Sequence, residues 1–206
     1  MAKIEIKICG IKSLEETKNI INLDIDYLGV IFANSIRKVS LKTATEISTF
    51  VKNSGKKCVG VFANLTEDEI LNNSLKAKLY AAQIYEDYSL NLYKNLNKNN
   101  IKVWKVFSVL DVLPNLGNSK FDLALFDYKG KKLGGNGVSF CWEILKYLEP
   151  FSFIMAGGIG AGNVLEAAKY NPKILDINSL VEDKNGIKDP KLIMEILKIL
   201  KENGYK

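Results

Sequence analysis

The chain has 206 residues, of which 47% are hydrophobic and 25% are charged, and its net charge is +6. It contains no histidine, which excludes imidazole as a general base, an activator of a nucleophile or a metal ligand. Its three cysteines are far apart in sequence and do not predict a zinc site, so acid–base chemistry must use Cys, Asp, Glu, Lys, Tyr or backbone groups.

Eight short apolar runs rich in Ile and Val alternate with helix patterns along the chain. Their ends are about 20 to 30 residues apart, the size of one strand–helix unit. The runs are mostly continuous rather than alternating, which is typical of parallel strands covered by helices. They are Ile4–Ile8, Tyr27–Phe32, Cys58–Phe62, Leu79–Ile84, Ile101–Val106, Phe121–Phe126, Phe151–Met155 and Ile174–Ile177.

Helix start signals lie between these runs. Ser13 and Thr66 each stand three residues before a glutamate, which is the spacing of a capping box. The pair Asp189–Pro190 predicts the start of the last helix, whose Leu and Ile residues form one apolar stripe.

Eight such units allow two architectures. A doubly wound open sheet would typically carry a glycine-rich turn after its first strand, but the first turn reads Cys9-Gly10-Ile11 and the glycine-rich segments come late. The pattern therefore favours an α/β fold of the closed (β/α)8 type, a TIM barrel that is compact for its class. No linker or shift in composition divides the chain, so residues 1–206 are predicted to form a single domain.

Active sites of such barrels lie at the C-terminal ends of the strands. Arg37, which follows the second run, is the only arginine of the chain, and its planar guanidinium suits bidentate recognition of a carboxylate. The other polar candidates at strand ends are Cys9, Gln83, Asp127 and Asp176.

Alternation along the first strand places Cys9, Lys7 and Glu5 on the face toward the barrel lumen. A lysine beneath a cysteine in a low-dielectric lumen could favour the thiolate. Cys9 could equally be a small buried hydrophobe, as free cysteines often are. Cys58 and Cys141 are interpreted as packing residues.

Asp127 ends an apolar run, where an ionised group must be solvated, paired or catalytic; the alternative is a cap for the next loop. That loop contains Gly134, Gly135 and Gly137 and either closes over a ligand or forms only a turn.

The late glycines predict a phosphate site. Gly157 and Gly158 follow the seventh run, and Asn178 and Ser179 follow the eighth. Barrels of this class frequently bind phosphate at these two strand ends through backbone N–H groups and a short helix.

The lysines are spread along almost the whole chain, as on solvated helix faces, and do not predict nucleic-acid binding. No apolar run approaches the ~18 residues of a membrane span, and a strand pattern begins at the N-terminus without a signal peptide before it. Free thiols are typical of a reducing compartment. We therefore expect a cytoplasmic protein with no nucleic-acid or membrane partner.

Taken together, these motifs resemble the phosphoribosylanthranilate isomerase family of tryptophan biosynthesis over essentially the whole chain. The most specific motifs are Lys-Ile-Cys-Gly-Ile at 7–11 and Ser-Ile-Arg-Lys-Val-Ser at 35–40. The resemblance also rests on Val59–Asn64, Gly134–Gly137 with Phe140 and Trp142, Ala156–Ile159, Asp176–Ser179 with Glu182, and Gly186–Asp189.

The resemblance implies an Amadori rearrangement that opens the phosphoribosyl aminal of anthranilate to a 1-deoxyribulose. It implies that Asp127 is the general acid for the ring oxygen and that Cys9, as thiolate, is the general base that removes the C2 proton. Arg37 would hold the anthranilate carboxylate, with Gln83 and Asp176 also binding substrate. No metal or organic cofactor is implied, and the expected partner is a small phosphorylated substrate bound by a monomer or homodimer.

Three positions depart from the family pattern. Tyr85 stands where relatives usually have His, Leu180 where they have Gly, and Cys141 where they have Asp. Because leucine adopts positive φ less readily than glycine, the phosphate site is expected to be reshaped near Leu180.

Two other functions remain open. Another phosphosugar barrel enzyme, such as an indoleglycerol-phosphate synthase or a sugar-phosphate isomerase, would use a Lys or Glu at a strand end, for which Lys105 after the fifth strand is the comparable candidate. A barrel that binds a phosphate ligand without catalysis is the third alternative. The joint presence of Cys9, Asp127 and Arg37 argues against it.

Overall fold

The computed structural model describes residues 3–110, 112–117, 119–128 and 141–206. Eight parallel strands close into one barrel in chain order, with the last strand paired to the first. This confirms the predicted (β/α)8 fold. The strands are β1 (Glu5–Cys9), β2 (Tyr27–Ile31), β3 (Lys57–Phe62), β4 (Ala81–Ile84), β5 (Lys102–Val109), β6 (Leu123–Tyr128), β7 (Phe153–Met155) and β8 (Ile174–Ile177).

Helices follow most strands and cover the outside of the barrel. The α-helices are α1 (Leu14–Ile20), α2 (Leu41–Asn53), α3 (Glu67–Lys76), α4 (Leu90–Lys98), α5 (Val164–Ala168) and α6 (Pro190–Glu202). Two 3-10 helices span Trp142–Tyr147 and Ser179–Val181. Within the described ranges, none of the helices has the length and apolar character needed to cross a membrane.

The predicted helix starts are found, with one difference. Thr66 forms a complete capping box at α3, and the Asp189 side chain caps α6 with Pro190 in its first turn. Ser13 caps α1, but the carboxylate of Glu16 accepts from the Lys12 and Lys188 N–H groups rather than from Ser13. The first capping box is therefore only half formed, because Glu16 joins the β1 end to the segment before α6.

The barrel has two apolar layers. Outward-facing residues such as Ile6 and Ile8 pack with helix residues such as Ile47, as the alternation along β1 predicts. Inside the barrel, Tyr27 and Trp104 meet edge to face with ring centroids 5.3 Å apart, in a cluster drawn from seven of the strands and the residue after β7. This packed interior cluster lies directly below the polar residues at the strand ends and forms the apolar floor of the barrel.

Two strands are displaced from their predicted positions. β6 begins and ends two residues later than the predicted run, so Asp127 lies within the strand. β5 extends to Val109, so Lys105 lies inside β5 and not after it, which corrects the sequence-based placement.

Candidate active site

A cavity of about 720 Å³ opens at the C-terminal ends of the strands. Nine of the predicted site residues line it together: Cys9, Arg37, Gln83, Asp127, Gly157, Gly158, Asp176, Asn178 and Ser179. The predicted loop glycines Gly134, Gly135 and Gly137 lie outside the described residues. The strand ends therefore converge on one mouth, as the fold requires.

Cys9 is the last residue of β1, and its buried thiol packs with Ile31 and Val61. Gly29 on β2 is its register partner. A Cβ atom at Gly29 would lie 2.8 Å from the Cys9 Sγ, closer than side chains pack, and would crowd the Lys7 Cε at 3.2 Å. The glycine therefore provides the room in which the thiol and the lysine lie side by side.

Beneath the thiol lies a buried ion pair. The Lys7 Nζ is 2.8 Å and 2.7 Å from the two carboxylate oxygens of Asp176. Burial opposes the ammonium charge, but the charge of Asp176 and its hydrogen bonds outweigh this effect and raise the pKa of Lys7. Lys7 is therefore a fixed cation, and in the unliganded barrel Asp176 serves as its counter-ion.

Burial has the larger effect on Cys9 itself. It raises the pKa of the Cys9 thiol above its ordinary value, although the Lys7 and Lys188 charges act in the opposite direction. The expectation that Lys7 favours the thiolate is right in sign for the lysine alone, but desolvation wins. In the free protein near neutral pH, Cys9 is chiefly a thiol.

Asp127 is the penultimate residue of β6, and its buried carboxylate has two hydrogen-bond donors. Oδ1 accepts from the Tyr128 N–H at 2.9 Å, and Oδ2 accepts from the Tyr85 hydroxyl at 2.9 Å. Burial raises the pKa of Asp127 to about 6, against the opposing effect of these hydrogen bonds. A carboxyl with this pKa is suited to general acid catalysis near neutral pH.

Gly157 packs behind this carboxyl. Its φ is +91°, and a Cβ there would lie 3.1 Å from the Asp127 Oδ1 and 3.0 Å from the Tyr128 nitrogen. Glycine is thus required here both by the backbone conformation and by the close approach of β6.

Arg37 is held at the cavity wall by its own sequence motif and by a carboxylate. Its N–H donates to the Ser35 Oγ at 3.1 Å, and Ser40 caps α2, which explains the two serines of the motif. Its Nε and Nη2 donate to the two oxygens of Glu182, each at 2.7 Å. A guanidinium has five N–H groups, and within the described residues this pair uses two of them. Both N–H groups of Nη1 and the second N–H of Nη2 therefore remain to bind an anion such as a carboxylate.

Glu182 is also bound from the other side. The buried Lys188 Nζ lies 2.6 Å from Glu182 Oε1 and donates to the Asn178 side-chain and backbone oxygens at 2.8 Å and 3.0 Å. This network, Arg37–Glu182–Lys188–Asn178, ties the loop after β2 to the loop after β8. Glu182 and Lys188 belong to motifs noted in the sequence, but their pairing with Arg37 was missed.

The four predicted phosphate residues lie on one side of the cavity. Gly157 and Gly158 both have positive φ, and Ser179 begins the short 3-10 helix after β8. Leu180 lies within that helix without a positive φ, so the strain expected for a leucine at a glycine position does not arise. Its side chain packs against Gly160.

Gln83 presents an unused acceptor. The residue is buried in β4 and lines the cavity, and its Oε1 has no hydrogen-bond partner within the described part of the chain. A buried carbonyl oxygen without a donor is costly, so a ligand N–H or O–H would stabilise it.

The other cysteines and Lys105 do not contribute to the cavity lining. Cys58 is buried, as expected for a packing residue, whereas Cys141 is exposed and that interpretation was wrong. Lys105 donates to the Tyr85 carbonyl oxygen at 2.9 Å and pairs with Asp87 at 3.1 Å. A catalytic lysine at the fifth strand end is therefore not formed. Among the described residues, no group of three or more Cys, Asp and Glu could hold a metal ion.

The fold and site define a class: a (β/α)8 barrel enzyme with a thiol, a carboxyl and an arginine at its mouth. The profile of the N-(5'-phosphoribosyl)anthranilate (PRA) isomerase family matches residues 6–199. The chain therefore belongs to the phosphoribosylanthranilate isomerase family, as the sequence motifs predicted.

Individual relatives agree along nearly the whole chain. A Campylobacter jejuni protein named N-(5'-phosphoribosyl)anthranilate isomerase is 43% identical over 200 residues, covering 97% of this chain and 100% of that protein. The crystal structure of phosphoribosyl anthranilate isomerase from Thermotoga maritima superposes with a TM-score of 0.81 at 27% identity, covering 97% of this chain and 99% of that one. A phosphoribosyl anthranilate isomerase in complex with reduced 1-(o-carboxyphenylamino)-1-deoxyribulose 5-phosphate superposes with a TM-score of 0.77 at 27% identity and the same coverage.

Proposed function

We propose that this chain isomerises N-(5'-phosphoribosyl)anthranilate in tryptophan biosynthesis, with Asp127 as general acid and Cys9 as general base. The observation that carries the proposal is the convergence of Cys9, Asp127 and Arg37 from three strand ends on one cavity. A buried acid–base pair beside a carboxylate-binding group is what an Amadori rearrangement of an anthranilate derivative requires.

The first step is ring opening. Asp127 gives its proton to the furanose ring oxygen, the C1–O bond breaks, and the nitrogen lone pair forms the C=N bond. The raised pKa of Asp127, about 6 through burial, keeps a useful fraction of the carboxyl protonated near neutral pH. The donors at both of its oxygens then stabilise the carboxylate that remains.

The second step is removal of the C2 proton. The Cys9 thiolate takes this proton, the C2–H electrons form a C1–C2 double bond, and the C=N electrons return to nitrogen. The resulting enolamine then tautomerises: it takes a proton from water at C1 and releases the proton of its C2 hydroxyl to water, which leaves the ketone. Cys9 and Asp127 return to their starting protonation states by proton exchange with water. The substrate gains and loses no atoms or electrons overall. Its nitrogen serves as the electron sink, because the C=N bond accepts the electrons of the broken C2–H bond.

The rest of the mouth fits the ends of this substrate. Arg37 binds the anthranilate carboxylate with the N–H groups that Glu182 leaves free, and the Gln83 Oε1 accepts from a substrate N–H or O–H. The phosphate binds to the backbone of Gly157 and Gly158 and to the segment at Asn178–Ser179. Asp176 contacts the sugar while it neutralises Lys7.

The test is a fluorescence assay with freshly made N-(5'-phosphoribosyl)anthranilate and no added metal. The fluorescence is expected to decay much faster with purified protein than in buffer alone. A decay rate equal to the buffer control would exclude the proposed activity.

We further propose a cytoplasmic enzyme that is a monomer or a homodimer, with no nucleic-acid or membrane partner. The related phosphoribosylanthranilate isomerase of Thermotoga maritima is described as dimeric. Light scattering after size-exclusion chromatography measures the mass; a trimer or larger assembly would contradict the proposal.

A further inference from the structure

Tyr85 is fixed in place from several sides. Its N–H donates to the Phe62 carbonyl oxygen at 3.2 Å, and its own carbonyl oxygen accepts from the Lys105 Nζ at 2.9 Å. The ring packs against the apolar floor of the barrel and against the cluster that contains Cys9. The position of the hydroxyl is therefore fixed by the hydrogen bonds of the Tyr85 backbone and by the packing of its ring.

The buried Lys105 has a structural role in this arrangement. Its Nζ lies between the Tyr85 carbonyl oxygen and the exposed carboxylate of Asp87, on the helix-facing side of the barrel wall. It supports the backbone of Tyr85 from outside and does not reach the substrate cavity.

The hydroxyl of Tyr85 meets the oxygen of Asp127 that the backbone leaves free. The Tyr128 N–H occupies Oδ1, and the Tyr85 hydroxyl occupies Oδ2 at 2.9 Å. These two hydrogen bonds stabilise the carboxylate form of Asp127, which is the form left after proton donation. A hydroxyl both donates and accepts, so it can also accept from the protonated carboxyl before the transfer.

Tyr85 remains protonated throughout. Burial and the nearby Asp127 raise the pKa of its phenol well above the ordinary value. It therefore does not compete with Asp127 as an acid, and its hydroxyl hydrogen is available at the neutral pH at which Asp127 acts.

We propose that Tyr85 is a positioning residue for Asp127, which holds its carboxyl toward the cavity and stabilises the carboxylate left after proton donation. The proposal rests on the proposed function, because it assigns Asp127 the role of general acid. It also explains how a tyrosine serves at a position where the family pattern has histidine: each is a neutral hydrogen-bond donor that a buried carboxylate can use.

Other groups around Asp127 set the background for a test by titration. Among the described residues, Asp176 on β8 raises the pKa of Asp127 and Lys7 on β1 lowers it. From β5 the facing position is the uncharged Ser108, and from the segment after β7 it is Gly157, which has no side chain. Replacing Tyr85 by Phe leaves all of these groups in place and removes one hydrogen bond.

The experiment is a titration of the Asp127 carboxyl by NMR, with 13C-labelled aspartate, in the wild type and in Tyr85→Phe. The signal is identified by its loss in Asp127→Asn. Because the hydrogen bond favours the charged form, its removal is expected to move the midpoint from about 6 upward by about one pH unit. The acidic limb of kcat/KM should move in the same direction.

Tyr88→Phe is the matched control. Its hydroxyl also donates to an oxygen, that of the Lys120 carbonyl at 2.8 Å, but it does not line the cavity. The control should leave both the midpoint and the limb unchanged.

An Asp127 midpoint that stays in place in Tyr85→Phe overturns the proposal, whatever the activity. A midpoint that moves while the kcat/KM limb does not also overturns it, because Tyr85 would then act on a carboxyl without a catalytic role. A wild type without isomerase activity overturns the proposed function instead, and the NMR titration distinguishes that case because it does not require turnover.

Discussion

Glu182 joins two cations at the cavity wall, and replacing it by Gln should destabilise the fold strongly. Its carboxylate is 8% exposed and lies between the Arg37 guanidinium, 11% exposed, and the fully buried Lys188 Nζ. Glutamine has nearly the same shape but no charge, so the change leaves a buried ammonium beside a guanidinium with no anion between them. Removing one partner of a buried pair typically costs about 3–5 kcal/mol.

The expected loss of stability is therefore at least about 3 kcal/mol. At roughly 2–4 °C in Tm per kcal/mol for a chain of this size, a loss of about 3 kcal/mol lowers Tm by roughly 6–12 °C, so Glu182→Gln should melt at least that far below the wild type. The measurement is thermal unfolding by circular dichroism near neutral pH, with urea unfolding to give the free energy.

An exposed ion pair of the same length serves as a control and shows whether burial, and not distance, determines the loss of stability. Glu166 pairs with Lys169 at the same 2.7 Å separation, but the two side chains are 53% and 60% exposed. Glu166→Gln should cost less than about 1 kcal/mol, because water and salt screen an exposed pair. Equal losses in the two variants would refute the argument that burial makes the Glu182 pair important.

The pH dependence gives the same reasoning a second test. Burial already lowers the pKa of Lys188, and Glu182 opposes this effect. In Glu182→Gln the folded-state pKa falls further below the unfolded value, so the unfolded chain binds more protons between the two pKa values. Stability then rises with pH in that window, and the deficit of the variant should shrink as the pH approaches 10. A deficit that grows with pH would contradict the assignment of an unpaired Lys188 charge.

Three further predictions concern catalysis. Cys9→Ala and Asp127→Asn should each lower kcat by at least ~10²-fold, the lower range for general acid–base groups; full turnover in either variant would remove that residue from the mechanism. Arg37→Lys should chiefly raise KM, since lysine cannot form the bidentate contact, and an unchanged KM would exclude Arg37 from carboxylate binding. A profile of kcat/KM should rise with pH up to about 6, the pKa of Asp127, remain level, and fall again above the pKa of Cys9, which burial raises above the ordinary value of a thiol. A single narrow maximum near pH 6 would show that the thiol titrates much lower than its burial implies.

The sequence predicted the barrel because strand–helix spacing and continuous apolar runs are local signals. It also predicted which residues line the mouth, since fold and strand order alone place Cys9, Arg37 and Asp127 at the same end. It did not predict the partners of those residues. Tyr85 meets Asp127 across 42 residues and Glu182 meets Arg37 across 145 residues, and such pairs depend on the register and tilt of the strands.

The protonation state of Cys9 could not be predicted from the sequence for a different reason. The lysine two positions below it was visible, and its effect on the thiol has the predicted sign. The opposing effect of desolvation depends on how completely the neighbouring strands enclose the thiol, including the close approach that Gly29 permits. A balance of two large effects of opposite sign cannot be obtained from the identity of the residues alone.

The balance between desolvation and nearby charges determines how an active site without histidine can provide both a general acid and a general base. Burial raises the pKa of both groups, that of Asp127 to about 6 and that of Cys9 above the ordinary value of a thiol, so the acid has the lower pKa of the two. The reactive combination, a protonated carboxyl with a thiolate, is then a minor species whose fraction is nearly constant between the two pKa values. Small stabilisation of the thiolate by Lys7, or of the acid by its surroundings, changes that fraction directly. The hydrogen bond from Tyr85 therefore has opposing effects: it lowers the fraction of Asp127 that is protonated, and it stabilises the carboxylate that remains after proton donation. The enzyme is expected to work over a broad neutral range and not at one sharp optimum.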